Sequence, residues 1–204
     1  MPPVGEVPGS TGRRADGVAG LLLTGGSSRR MGFDKASFRV GGVPNAVRLG
    51  ALLAGLVEPV LEVGPGVSGL AAVSEEPAGS GPLAALWAGG LALQRSGHAG
   101  PALVLACDLP FVGREVLEFL RAWPGGESVV PLVRGRAQPL CARWSAAELV
   151  AAGELVEAGE RSMRVLLSRP GVALVGEEGW PGGVSARDFE DFDSPADLSR
   201  LGLS

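Results

Sequence analysis

Residues 18–35 read VAGLLLTGGSSRRMGFDK. The stretch opens on six apolar or small residues with no polar position to set an alternation. That pattern describes a strand buried on both faces, as a parallel sheet covered by helices requires. The second half of the stretch is of another kind: Gly25 and Gly26, the hydroxyls of Ser27 and Ser28, the guanidinium groups of Arg29 and Arg30, and Lys35 behind a further glycine. Two adjacent glycines let the backbone approach a ligand closely, because no Cβ intervenes. Successive amides in such a turn can form an anion nest, and Arg forks and a mobile Lys suit phosphate oxygens. The loop reads as a phosphate cradle, with a solvated basic turn as the plain alternative. It matches neither G-x-x-x-x-G-K-[ST] nor G-x-G-x-x-G, the commoner phosphate loops.

The rest of the chain repeats the pairing of apolar strand and helix. Strands are predicted at 59–63 (PVLEV), 101–106 (PALVLA), 128–132 (SVVPL) and 172–175 (VALV), and helices at 83–93, 114–123 and 146–156. Leu49, Leu52, Leu53 and Leu56 recur at i, i+3, i+4 and i+7 behind Pro44, which marks one more amphipathic helix. Such alternation predicts a single-domain α/β fold, Rossmann-like, with a doubly wound, mostly parallel sheet. In sheets of that kind ligands bind beyond the carboxyl ends of the strands. Residues 1–16, MPPVGEVPGSTGRRAD, carry turn chemistry without an apolar period and are expected to be a disordered tail, leaving 17–204 as the domain. A chain of 204 residues suits one domain.

A net charge of −4 supplies no general basic face, which argues against nucleic acid or a membrane surface as partner. No stretch approaches the ~18 apolar residues of a membrane span. Cys107 and Cys141 have no CxxC spacing for zinc and fit a reducing compartment. Arg13 and Arg14 are followed by Asp16 and by only three leucines, so an export signal is not expected. The expected location is therefore cytoplasmic. His98 is the single histidine, placed in the glycine-rich turn RSGHAG, so no Ser/His/Asp triad is expected. SPAD at 194–197 reads as a helix start, with Ser194 as N-cap and Asp197 closing the box.

Asp108 follows the apolar run ALVLAC, so its carboxylate belongs at a strand end on the same edge as the glycine loop, with Pro110 stiffening the loop after it. A carboxylate beside phosphates calls for a cation between them, and Mg²⁺ is held by one or two carboxylates plus phosphate oxygens. The alternative is an Asp that caps the helix beginning near Gly113.

These residues carry a resemblance. LLLTGGSSRRMGFDKA resembles the signature L-x-G-G-x-S-x-R-M-G-x-D-K of the molybdenum cofactor guanylyltransferases and their MobA-like nucleotidyltransferase relatives. Four further stretches extend it over residues 18–202: GSGPLAAL at 79–86, CDLP at 107–110, GRAQPLCARW and AGERSMRVLL within 135–167, and DFDSPADLSRL at 191–201. The resemblance implies nucleotide contacts from Leu23, Thr24, Gly25 and Gly26, phosphate contacts from Lys35 and Arg30, and Mg²⁺ on Asp108. It further implies a nucleotide contact from Glu75, where the family more often has Asp. A family asparagine after the second strand falls near Val63 or Gly64 here. The family's N-x-N-T-P ending becomes Asp191-Phe192-Asp193-Ser194-Pro195, which implies that Asp191 and Asp193 lie toward the second substrate; Arg161 and Arg164 read either as forks for that substrate's phosphate or as solvated surface arginines.

The implied reaction is transfer of GMP from GTP to the phosphate of molybdopterin or molybdenum cofactor, with pyrophosphate leaving and Lys35, Asp108 and Arg30 as the catalytic set. Positioning and charge neutralisation dominate such chemistry. A molybdoenzyme or a cofactor-delivery protein would receive the product. Three alternatives stay open: a CTP-dependent cytidylyltransferase, whose relatives end in D-x-D-T-P but begin L-A-A-G and carry G-D-x-P; a sugar-phosphate nucleotidyltransferase; and a non-catalytic nucleotide- or cofactor-binding module.

Overall fold

The computed structural model describes residues 17–25, 38–77, 79–192 and 194–203. The expected tail at 1–16 lies outside them, as do Asp193 and the segment 26–37 with Gly26, Arg30 and Lys35. The first half of the chain runs β1 (Ala19–Leu23), β2 (Arg39–Val40), β3 (Val43–Pro44), α1 (Asn45–Ala54), β4 (Val60–Val63), β5 (Ala71–Val73), α2 (Pro82–Arg95) and β6 (Ala102–Ala106). The second half continues through α3 (Arg114–Ala122), β7 (Ser128–Val133), β8 (Arg136–Ala137), β9 (Cys141–Trp144), α4 (Ala146–Glu157), α5 (Met163–Leu167), β10 (Val172–Val175) and α6 (Pro195–Leu201).

The main sheet has the order β10-β7-β9-β6-β1-β4-β5, with β8 paired to β7. β6, β1, β4 and β5 are mutually parallel, and β10 is parallel to β7. β9 is antiparallel to both its neighbours, β6 and β7, which makes the sheet mixed but largely parallel, as the alternation predicted. The sequence did not announce the short strands β2, β3, β5 and β8, nor β9 in the main sheet. β9 is four residues long, follows Pro139 and holds Arg143 in a buried position. The cost of burying that guanidinium is partly offset by bonds from its Nη atoms to Trp123 O (2.6 Å) and Gly125 O (3.0 Å), while Nε is buried with no partner among the described residues.

Both faces of the sheet are covered, which is why β1 and β6 are buried at every position. On one face Leu21, Leu23, Ala102 and Val104 pack under α2, α4 and α5. On the other, Leu22, Leu103 and Leu105 pack under α1 and α3. α1 carries the chain from β1 to β4 on one side of the starting strand, and α2 carries it back past β1 to β6 on the other. The direction of winding therefore reverses at the β1–β6 boundary, where an open α/β sheet forms its crevice. α2 crosses the sheet closely, because a Cβ on Gly89 would stand 2.8 Å from Leu21 Cδ1. Among the described residues no helix is long and apolar enough to cross a membrane.

Candidate active site

The register of the four parallel strands builds the site. Leu23 stands level with Val63 on one side and Ala106 on the other, and Val63 with Val73. The residues just beyond these positions must emerge on one edge: Thr24 and Gly25 after β1, Gly64 after β4, Glu75 after β5, Cys107 and Asp108 after β6. Five sequence-predicted residues are thus brought together: Leu23, Thr24, Gly25, Glu75 and Asp108. Leu23 has its side chain in the core, and its carbonyl accepts from Cys107 N at 3.0 Å, so it forms the floor.

The strand end of the glycine loop differs from the expected nest. Thr24 N and Gly25 N both donate to Val63 O, at 3.0 and 3.2 Å, so these amides serve the sheet rather than an anion. Gly64 explains the closeness of the two loops. At φ +150 its added Cβ would lie 2.1 Å from Thr24 Oγ1 and 2.7 Å from Gly25 N. An asparagine, which the family resemblance puts near this position, has no room here.

Sequence reasoning missed Glu62. It sits on β4 among Val60, Leu61 and Val63 and is fully buried. Its Oε1 accepts from Thr24 Oγ1 (2.5 Å), Gly66 N (2.7 Å) and Val67 N (2.9 Å), and its Oε2 from Ser68 N (2.8 Å) and Ser68 Oγ (2.5 Å). Burial pushes this carboxyl up, but the hydroxyls of Ser68 and Thr24 and the amides of Ser68 and Val67 outweigh it and hold the group below the ordinary glutamate range. A lone Glu inside an apolar strand was the available signal.

Glu75 is nine-tenths buried. Its Oε1 accepts from Gly79 N at 2.6 Å, while Oε2 is covered and has no hydrogen-bond partner among the described residues. A buried carboxylate oxygen left this way is costly and calls for a donor.

The Asp108 loop is held from beneath by two residues of α1. Asn45, fully buried, donates from Nδ2 to Cys107 O (2.9 Å) and Leu109 O (3.3 Å). Arg48 donates to Asn45 Oδ1, Leu109 O, Pro110 O and Val112 O at 2.8–3.0 Å. Burial lowers the Arg48 pKa from its ordinary value. The helix after this loop takes Gly113 as its N-cap with no side-chain bond, so Asp108 is not its cap. Asp108 itself is half-buried. Among the described residues no group of three or more His, Cys, Asp and Glu is arranged to hold a metal.

The C-terminal motif reaches the same place. Phe192 N donates to Asp108 O at 3.3 Å, and the buried Phe192 ring lies 4.9 Å from that of Phe38, which sets Asp191 beside the Asp108 loop. Ser194 Oγ accepts from Asp197 N at 3.2 Å, as the SPAD reading required. Arg161 is exposed, and its carbonyl is 3.9 Å from where a Gly81 Cβ would be, so the GERS segment runs beside the loop that starts α2. His98 is half-buried, with Nε2 3.1 Å from Pro101 O.

Comparison with known proteins bears on the family and the fold. Residues 20–174 match the MobA-like NTP transferase domain. The chain is 31% identical over 195 residues to a probable molybdenum cofactor guanylyltransferase of Chloroflexus aggregans, covering 89% of this chain and 91% of that one. It is 34% identical over 195 residues to the molybdenum cofactor guanylyltransferase of Cereibacter sphaeroides, covering 89% and 93%. Its fold is like that of the molybdopterin-guanine dinucleotide biosynthesis protein A of Archaeoglobus fulgidus, with a TM-score of 0.73, 24% identity and coverage of 90% and 96%. With a domain match over most of the chain and relatives of this identity along almost its whole length, the protein belongs to the MobA-like NTP transferase family of nucleotidyltransferases.

Proposed function

We propose that the protein transfers GMP from GTP to the terminal phosphate of molybdopterin or molybdenum cofactor, releasing pyrophosphate. The observation that carries this reading is the edge where four parallel strands end level and deliver Thr24, Gly64, Glu75 and Asp108 to one crevice. The guanine edge bears N–H donors, and Glu75 Oε2 is a buried acceptor that has none among the described residues. Asp108, on a loop fixed by Asn45 and Arg48, is the residue to hold Mg²⁺, with triphosphate oxygens completing the cation's shell. The ion would supply charge neutralisation between carboxylate and phosphates. Lys35 and Arg30, which lie outside the described residues, are assigned to the triphosphate. Asp191 and Asp193 are assigned to the acceptor because the C-terminal segment is tied to the Asp108 loop through Phe192, and Arg161 because its segment runs beside the loop that starts α2. The product would pass in the cytoplasm to a molybdoenzyme or a delivery protein.

The test is product mass spectrometry with purified protein, Mg²⁺, molybdopterin and either GTP or CTP. A guanine dinucleotide is expected. A cytosine dinucleotide would move the protein to the cytidylyl branch, and no dinucleotide from either would overturn molybdopterin as acceptor.

A further inference from the structure

We infer that Glu62 is a positioning residue that fixes the polarity of the nucleotide crevice by binding the Thr24 hydroxyl proton and bracing the loop after β1 against the loop after β4. The inference rests on the nucleotidyl-transfer reading above. At the heart of an apolar strand a valine would fill the space at no electrostatic cost, whereas a buried carboxylate must be fully hydrogen-bonded to be tolerated. Glu62 achieves this with five donors, and four of them lie within residues 66–68 of its own loop. The fifth, Thr24 Oγ1, comes from the neighbouring strand end, 38 residues earlier in the chain.

The direction of that bond has a chemical consequence. A hydroxyl has one proton and two lone pairs. With its proton donated to Glu62 Oε1, the Thr24 hydroxyl, 8% exposed, has only acceptor capacity left for a ligand. Thr24 N and Gly25 N are likewise committed, both to Val63 O. The strand-proximal part of the glycine loop therefore offers acceptors and repels phosphate oxygens. It is the end that takes N–H donors of a base or hydroxyls of a ribose, so the triphosphate must extend away from it. Glu62 has no exposed surface and cannot touch the ligand itself. Any effect it has on nucleotide binding passes through Thr24 and the loop geometry.

The experiment compares Thr24→Val, Glu62→Leu and the double variant by steady-state kinetics, with thermal melting alongside. The parent is first titrated with GTP and with CTP, and whichever binds is the varied nucleotide. A parent preferring CTP fails the guanylyl reading but leaves this comparison intact, and a parent binding neither overturns both. Each single variant is expected to raise the nucleotide KM about tenfold with kcat within about twofold of the parent. The double variant should be no worse than either single. Glu62→Gln, which keeps the volume and one acceptor oxygen, replaces Glu62→Leu if the latter does not fold, with a smaller rise of about threefold expected. Glu62 variants that melt at lower temperature yet keep the parental KM would reduce the residue to a structural role. Effects that multiply in the double variant would overturn the brace.

Discussion

Gly64 is the position at which the geometry makes its sharpest demand. Replacing it by alanine adds one carbon, and that carbon would stand 2.1 Å from Thr24 Oγ1, 2.7 Å from Gly25 N and 3.0 Å from Thr24 C. Turning the Thr24 side chain relieves only the first contact, since the other two are backbone. The φ of +150 is also a region that only glycine occupies readily, and holding alanine there costs about 1–3 kcal/mol. If the loops part instead, three bonds are lost: Thr24 Oγ1 to Glu62, and Thr24 N and Gly25 N to Val63 O. At about 1 kcal/mol each they bring the total to roughly 4–6 kcal/mol, a large share of the ~5–15 kcal/mol by which a domain is stable. Gly66→Ala is the control. Its φ is +82, but the added Cβ meets only Ala72 Cβ, at 3.5 Å, so strain alone should cost about 1 kcal/mol. Urea unfolding followed by tryptophan fluorescence measures both, and a nucleotide titration of the folded fraction reports the loop. A Gly64→Ala protein within about 1 kcal/mol of the parent and binding nucleotide equally well would refute the packing argument.

Asp108→Asn should abolish turnover while leaving the melting temperature near that of the parent, because an amide keeps the shape and the loop is held through its carbonyls; normal activity in Mg²⁺ would remove Asp108 from the site. Asn45→Ala should cost about 2–3 kcal/mol, from two donated bonds and one accepted from Arg48. The same variant should lower kcat by loosening the Asp108 loop; unchanged urea unfolding and kcat would disprove that support. Glu62 carries the pH dependence: its folded pKa lies below the unfolded value of about 4.3. Its contribution is therefore present above that value and lost as pH falls through the folded pKa. The stability gap between the parent and Glu62→Gln should be constant from pH 7 to 5 and shrink below about pH 4; a gap that widens on acidification would reverse the sign.

Much of the fold is legible because burial on both faces leaves a simple mark. β1 and β6 are unbroken apolar runs, and α1 shows its period in Leu49 and Leu53, which are both buried. The leucine period carries α1 too far: Leu56 lies beyond the helix end at Ala54 and packs at the margin of the core. β9 is illegible for the opposite reason. Its burial depends on Arg143 finding the carbonyls of Trp123 and Gly125, which are distant in sequence, and no local pattern encodes such a partner. β5 is three residues long, with two exposed, and shows no period at all.

The same distinction separates the parts of the site. Residues assigned to the ligand are conspicuous in sequence because glycines, hydroxyls and a strand-end Asp are out of place after an apolar run, and Thr24, Gly25 and Asp108 stand out that way. Residues that hold those in place are inconspicuous, since their partners are backbone atoms of remote segments. Among the described residues the side chains of Asn45 and Arg48 bond to each other and to carbonyls of residues 107–112. Gly64 is an ordinary turn glycine until Thr24 is set against it. Glu62 stands between the two kinds. It breaks an apolar strand as visibly as Asp108 ends one, but its meaning appears only when β4 is paired with β1, because the proton it removes from the crevice belongs to a side chain on the next strand. A crevice in which the Thr24 and Gly25 donors are committed inward must draw its positive charge from further along the glycine loop, where the sequence supplies Arg29, Arg30 and Lys35.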